Sequence, residues 1–276
     1  MAKFNVGVIG IGYWGKKILD EFSKLENVSV IGVSDLDDKN LAFASERYGV
    51  KAGYRDYKDL LAAKDLHAVA VCTPNESHFR ACKDALEAGK HVIVEKPITL
   101  TSKEGNELVA LAKGRGLTLS VGHIFRFNNA LAEVRRLIEE EKFFGKLFLM
   151  EMNWVNLEKA FPDRDVLFDL APHMFDIQNY LLGQWPEEVM CAGGPFRRKE
   201  GEETAYVVSK FKDGMIAMAN ISWLVPRKVR QIMLVGENRS ALIDAVAQEV
   251  TVYESGYTYR LGLERNNTIR DELVHF

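Results

Sequence analysis

A chain of 276 residues with 47% hydrophobic content can bury a full core and is long enough for two domains. Its 36 basic and 39 acidic residues leave a formal net charge of -3, which excludes the cationic surplus that non-specific nucleic-acid binding uses. Charged residues interrupt every hydrophobic stretch before the roughly 20 apolar residues of a membrane span can accumulate, so small molecules are the expected partners.

The first strand is expected at 4–9, with no basic region, apolar core and cleavage site ahead of it. No export signal is read there, and a cytoplasmic location is the default expectation. Gly10-Ile11-Gly12-Tyr13-Trp14-Gly15 follows at once and opens a helix through Ile18, Leu19 and Phe22. That context is what a G-x-G-x-x-G dinucleotide loop requires. Gly10 permits the tight turn, Gly12 lets backbone approach a pyrophosphate, and Gly15 allows helix to pack on strand. The helix N-terminus then meets the phosphate charge. Tyr13 and Trp14, at the variable positions, are candidates to lie against cofactor or substrate, although aromatics at a helix start more often serve packing. Asp35 ends a second strand expected at 28–34, where its carboxylate suits the ribose hydroxyls of NAD and repels the 2′-phosphate of NADP. Leu36, Asp37 and Asp38 supply no arginine for that phosphate, while Lys39 weakens the exclusion. NAD is the expected cofactor.

Further strands are expected at 67–72, 91–94 and 117–121, alternating with amphipathic helical stretches up to about residue 122. This rhythm predicts a parallel sheet with helices on both faces, an α/β Rossmann fold occupying 1–122. Beyond it the pattern changes. Lys146–Val155 and segments between 187 and 260 read as strands joined by short turns, with Asp213-Gly214 a hairpin turn. One helix interrupts them, from about Phe168 to Leu182, stopped at Gly183. Residues 123–276 are therefore expected to form an α+β domain on a largely antiparallel open sheet. Such a sheet exposes an apolar face in a monomer, which predicts a homodimer or homotetramer. Cys72, Cys82 and Cys191 lack C-x-x-C spacing and read as buried apolar residues. His67, His91 and His275 sit in or beside apolar runs without partners at metal-ligand spacing, so they read as structural and no metal is expected.

Cys72-Thr73-Pro74-Asn75-Glu76-Ser77-His78 follows the third of these strands and Glu95-Lys96-Pro97 the fourth. Together with the glycine loop, these segments resemble the Gfo/Idh/MocA family of oxidoreductases. The resemblance implies that Thr73, Pro74 and Asn75 lie along the cofactor, with Glu95 and Lys96 near the nicotinamide and substrate. His78 fits a cofactor contact and a brace of its loop equally well. Alone, Lys96 would be a solvated lysine at a strand end, its backbone restricted by the following proline.

Asp169-Leu170-Ala171-Pro172-His173-Met174-Phe175-Asp176 places Asp169 and His173 four residues apart on one helix face. Read bottom-up, that is an ordinary i,i+4 pair or a carboxylate orienting an imidazole. The segment matches the family's D-x-x-x-H-x-x-D pattern, which implies that His173 and Asp169 face substrate, with Asp176 nearby. Pro172 suggests that 169–171 form a first turn or a kinked start. Gly122-His123 with Phe127-Asn128, Val166–His173 and Ser222–Arg230 narrow the resemblance to the branch containing nucleotide-sugar 3-dehydrogenases. In that branch NAD takes hydride from a hexose hydroxyl of a UDP-sugar. Asn129 departs from the proline common at that position, and the chain stops at Phe276 within a helical segment that family members continue. Arg126, Asn128, Lys228 and Arg230 join Asp176 as candidates for substrate binding, the cations for a diphosphate or carboxylate. The mechanism implied makes His173 the base, Lys96 the electrostatic partner of the hydroxyl oxygen and Asp169 the group orienting His173; Lys96 and His173 are also open to the exchanged roles. Two rivals stand beside it: a dehydrogenase of an unactivated polyol, inositol or aldose, and a non-catalytic NAD-dependent regulator on the same fold.

Overall fold

The computed structural model describes residues 3–140, 142–161 and 163–276. They form two compact units, one of residues up to Gly122 together with Ile269–Phe276, the other His123–Thr268.

In the first unit β1 (Phe4–Ile9), β2 (Val28–Ser34), β3 (Ala52–Tyr54), β4 (Ala68–Val71), β5 (His91–Val94) and β6 (Leu119–Val121) make a parallel sheet of order β3-β2-β1-β4-β5-β6. Helices α1 (Tyr13–Ser23), α2 (Asp38–Tyr48), α3 (Tyr57–Leu61), α4 (Asn75–Glu87) and α5 (Ser102–Arg115) are the connections. The central strands are buried on both faces, as continuous runs such as Ala68–Val71 dictate. The order reverses between β1 and β4, which opens a crevice at the carboxyl ends of these strands. β3 was not expected: three residues are too few to show a period.

In the second unit a 3-10 turn (Ile124–Phe127) and α6 (Asn129–Glu139) precede β7 (Leu147–Leu157) and α7 (Val166–Leu182). β8 (Glu188–Gly194), β9 (Thr204–Lys210), β10 (Ile216–Ser222), β11 (Leu224–Gly236), β12 (Ser240–Asp244), β13 (Glu249–Glu254) and β14 (Tyr257–Arg260) follow. The sheet order is β14-β13-β12-β11-β7-β10-β9-β8, antiparallel throughout except between β7 and β10. Alternate residues of β7, Met150, Met152 and Trp154, join Leu131 and Val134 of α6 and Met174 and Ile177 of α7 in one buried core. The other face is uncovered. On it Met218 pairs with Val208 and Val208 with Met190, flanked by Ile216 and Tyr206. Met190 is 67% and Tyr206 61% exposed.

Four expectations change. α8 (Thr268–His275) was assigned to the second domain, yet Leu273, Ile269 and Phe276 pack with Val6 and Ile18 in the core of the first unit. α7 starts at Val166, with Asp165 accepting from Phe168 N at 2.9 Å, so Pro172 lies inside the helix and 169–171 are not its first turn. Cys191 is exposed, because β8 is an edge strand paired on one side only, whereas Cys82 is buried and Cys72 partly so. The fold also brings Arg55, from the end of β3, to Asp38 at 2.8 Å, an arginine that the local sequence around Asp35 does not show. Among the described residues no helix is long and apolar enough to cross a membrane.

Candidate functional site

The glycine loop joins β1 to α1 and is built from absent side chains. Gly10 has φ +86°, and a Cβ there would meet the Cys72 carbonyl oxygen at 2.8 Å. A Cβ on Gly15 would lie 1.8 Å from the Gly10 oxygen, so only glycine lets α1 start this close to the turn. A Cβ on Gly12 would meet nothing within 4 Å, which leaves that face of the loop open. No side chain caps α1 and no acidic residue sits in its first turn. Its amides are thus left for an anion.

Asp35 is tied into this loop: Oδ2 accepts from Ile11 N at 2.6 Å and Oδ1 from Asp37 N at 2.8 Å. The carboxylate is thereby fixed, and its remaining lone pairs can take hydroxyl donors. Asn75 begins α4, is 6% exposed, and its buried Nδ2 has no hydrogen-bond partner among the described residues. A buried donor without an acceptor is costly unless a ligand supplies one. The open face at Gly12, the uncapped α1 and the Asn75 amide therefore fit a dinucleotide. Thr73 Oγ1 is occupied by Ser77 Oγ at 2.8 Å.

His78 resolves as a brace. It is 1% exposed, and its ring nitrogens lie 2.7 Å from the Pro97 carbonyl and 2.8 Å from that of Thr73, tying the loop after β4 to the loop after β5. Burial lowers its pKa against the two carbonyls. Such a side chain has no face left for a cofactor. Glu95 follows β5 beside a void of about 10 Å³ shared with Cys72, Gly122 and Glu272. Burial pushes its carboxyl up to about 7 against the opposing fields of Lys96 and Lys17. Tyr13 is exposed and edge-on to Trp14, and Lys17 Nζ caps both rings at 4.4 and 4.6 Å.

In the second unit α7 carries Asp169, His173 and Asp176. His173 is 8% exposed, and the Phe125 ring meets it edge-on at 5.1 Å. Asp169 Oδ2 accepts from Trp223 Nε1 at 3.1 Å, and Arg164 Nε lies 3.8 Å from Oδ1. A carboxylate held this way is aimed, one helical turn from a buried imidazole. Asp176 and Arg126, both expected at the substrate, face one another: Nη2 is 2.7 Å from Oδ1, and Asn179 Oδ1 accepts from Arg126 at 3.2 Å. Each charge compensates the other. Asn128 is a correction. It is 1% exposed, accepts from Ala130 N and Leu131 N as the N-cap of α6, and donates to Ala245 O at 2.9 Å. Its polar atoms are used inside the unit, so it is a structural cap. Arg230 is 8% exposed and donates to Val155 O, Val229 O and Asn156 Oδ1. Lys228 is exposed on the same strand.

Two family models match the chain: the NAD-binding Rossmann fold of an oxidoreductase family, Gfo/Idh/MocA, over residues 4–123, and the carboxy-terminal domain of that family over 131–242. The chain belongs to the Gfo/Idh/MocA family. Among curated members, UDP-N-acetylglucosamine 3-dehydrogenase of Acidithiobacillus ferrooxidans is 27% identical over 99% of this chain and 83% of its own length. Myo-inositol 2-dehydrogenase of Thermotoga maritima is 26% identical over 79% of this chain and 68% of its own length. The solved structure of the first superposes with a TM-score of 0.88 at 25% identity, over 99% of this chain and 87% of that one. Levoglucosan dehydrogenase in complex with NADH shares the fold at a TM-score of 0.89 and 18% identity, covering 99% of this chain and 88% of that one. The chain is thus an NAD-binding oxidoreductase of this family, with a parallel amino-terminal sheet and a mostly antiparallel carboxy-terminal one.

The motifs do not announce Lys17, Arg164 or Asn156, and they give Trp223, inside the Ser222–Arg230 segment, no role of its own. Lys17 was findable as the residue three and four positions beyond the aromatic pair. Trp223 reaches Asp169 only through the fold, from 54 residues beyond it along the chain, whereas Arg164 approaches from just ahead of α7.

Proposed function

We propose that this oxidoreductase takes hydride from a ring carbon bearing a hydroxyl on a sugar, with a nucleotide-linked sugar as the favoured substrate. The observation that carries the reading is α7, where a carboxylate held by an indole N–H stands one turn from a buried imidazole. Gly10, Gly12, Gly15, Asp35 and the Thr73-Pro74-Asn75 segment hold the cofactor, with Tyr13, Trp14 and Glu95 beside it. Bound NAD supplies the hydride acceptor. His173 takes the hydroxyl proton, Asp169 orients the imidazole and stabilises the imidazolium, and Lys96 offsets the charge that grows on the oxygen. The carbon loses hydride, the oxygen loses its proton, and a keto sugar results. The match to UDP-N-acetylglucosamine 3-dehydrogenase over nearly the whole chain supports the nucleotide sugar. The match to myo-inositol 2-dehydrogenase supports a free polyol as the second reading. Subunits pair through the uncovered sheet face around Met190, Tyr206 and Met218, giving a homodimer or homotetramer, which light scattering of the purified chain measures.

The deciding experiment follows absorbance at the NADH band when protein and NAD meet UDP-sugars, free hexoses and inositols separately. A signal that requires the nucleotide sustains the favoured substrate. A signal with free sugar or inositol replaces it with the second reading, and silence with NAD binding intact makes the chain a regulator.

A further inference from the structure

The second unit carries a cleft of about 420 Å³ at the end of its sheet where β11 begins and the turn between β12 and β13 closes. Four of its nine lining residues, Arg227, Lys228, Arg230 and Arg265, are cationic, and Asp244 alone is anionic. This concentration of positive charge stands in a chain whose net charge is -3.

Asp244 does not neutralise it. Its Oδ1 accepts from Val246 N and Ala247 N, and its Oδ2 from Gln231 Nε2, so the carboxylate shapes the turn. Arg227 and Arg265 form no ion pair among the described residues, and Arg265 donates only to the Val246 carbonyl. Arg230, buried in the wall, gives its hydrogen bonds to three neutral oxygens at 2.7 to 2.9 Å. Burial pushes this guanidinium down to about 10, with Asp169 and Glu158 opposing from a distance. Buried charge is tolerated where a counter-ion completes the site.

We infer that this cleft binds a diphosphate group, and that on the sugar-dehydrogenase reading above it holds the phosphates joining nucleoside to sugar. The volume is that of a small-molecule site rather than a single carboxylate pocket. Arginine forks match phosphate oxygens two at a time, and several cations suit a group carrying two or more negative charges. The field of Asp169 reaches Arg230, so the cleft wall and the α7 carboxylate lie within electrostatic range of each other in the same unit.

The test is calorimetric titration of the full chain with inorganic pyrophosphate, at saturating NAD so that the glycine loop is occupied. The Arg227→Gln/Arg265→Gln double variant should bind pyrophosphate at least about tenfold more weakly, as the loss of charge-assisted bonds requires. Lys210→Gln, an exposed charge removed elsewhere on the sheet, should match the unaltered chain. The NAD-induced rise in Tm reports that each variant is folded. Wild-type affinity in the double variant, or no pyrophosphate binding by the unaltered chain, overturns the site whatever the substrate. A second arm measures turnover of UDP-N-acetylglucosamine and of free N-acetylglucosamine. A KM raised for the nucleotide sugar alone, with kcat held, supports the full proposal. Weakened pyrophosphate binding with turnover of free sugar only keeps the anion site and removes its assignment to the nucleotide-linked substrate.

Discussion

In the first unit most of what is offered to a ligand is main-chain amides and missing side chains, at the open face of Gly12, the uncapped start of α1 and the turn at Gly10, with the Asp35 carboxylate and the Asn75 amide beside them. In the second they are side chains whose positions depend on distant partners. Trp223 holds Asp169 from 54 residues away, Arg126 meets Asp176 across 50, and Arg230 reaches Asn156 across 74. A backbone site of six consecutive residues is written into local conformation and survives wherever the strand-turn-helix forms. A side-chain site exists only after the sheet and α7 have assembled, so its geometry follows tertiary stability.

Lys96 is the exception within the first unit, a side chain proposed for chemistry, and it gives the sharpest test of the contrast. Lys96→Met is expected to lower kcat about a thousandfold, the scale of losing an electrostatic stabiliser, while the NAD-induced rise in Tm persists. Near-normal turnover would return the first unit to cofactor binding alone.

The glycine loop offers the next largest effect. Gly15→Ala forces a Cβ to within 1.8 Å of a backbone oxygen and should cost about 3 kcal/mol of stability, read in a urea titration. Gly12→Ala meets no protein atom, so its unfolding midpoint should match the unaltered chain while NAD binds about tenfold more weakly. Equal destabilisation by both would mean that the open face at Gly12 has a structural use.

Asn128→Ala separates fold from chemistry in the second unit. It removes the cap of α6 and leaves the Ala245 carbonyl and two amides short of a partner, at about 2 kcal/mol. Its kcat/KM, measured below the melting range, should be unchanged; a selective fall would restore Asn128 to the substrate site.

Glu95 provides a pH signature. Its folded pKa of about 7 lies above the 4.5 of the unfolded chain. The stability it contributes is therefore complete below 4.5 and is lost as pH rises through 7. Glu95→Gln should thus gain in Tm over the unaltered chain between pH 5 and pH 8, by about 5 °C without NAD. A constant difference across that range would show that Glu95 stays ionised in the folded state.

Much of this was legible in residue order. Gly10, Gly12 and Gly15 were readable because their work is local, and the continuous apolar runs marked the central strands. Helix α7 showed its end at Gly183, since a left-handed residue there stops a helix by a local rule. The same legibility failed for Asn128, where a polar residue beside a basic motif looked like a substrate contact and proved to be a cap. It left His78 open between brace and cofactor contact, because its second carbonyl partner comes from the loop after β5. Arg126 and Asp176 were singled out separately as substrate contacts, and their mutual pairing at 2.7 Å arises only in the folded unit.

The sequence by itself determined the parallel amino-terminal sheet, the dinucleotide loop and the helix bearing Asp169 and His173, because periodicity and glycine stereochemistry act over a few residues. Tertiary structure alone decided that α8 packs with the first unit, that Trp223 secures Asp169, and that Arg227 and Arg265 share a cleft. Those outcomes depend on contacts between segments whose separation along the chain carries no local signal. The free energy that selects them comes from burying side chains together in a folded core.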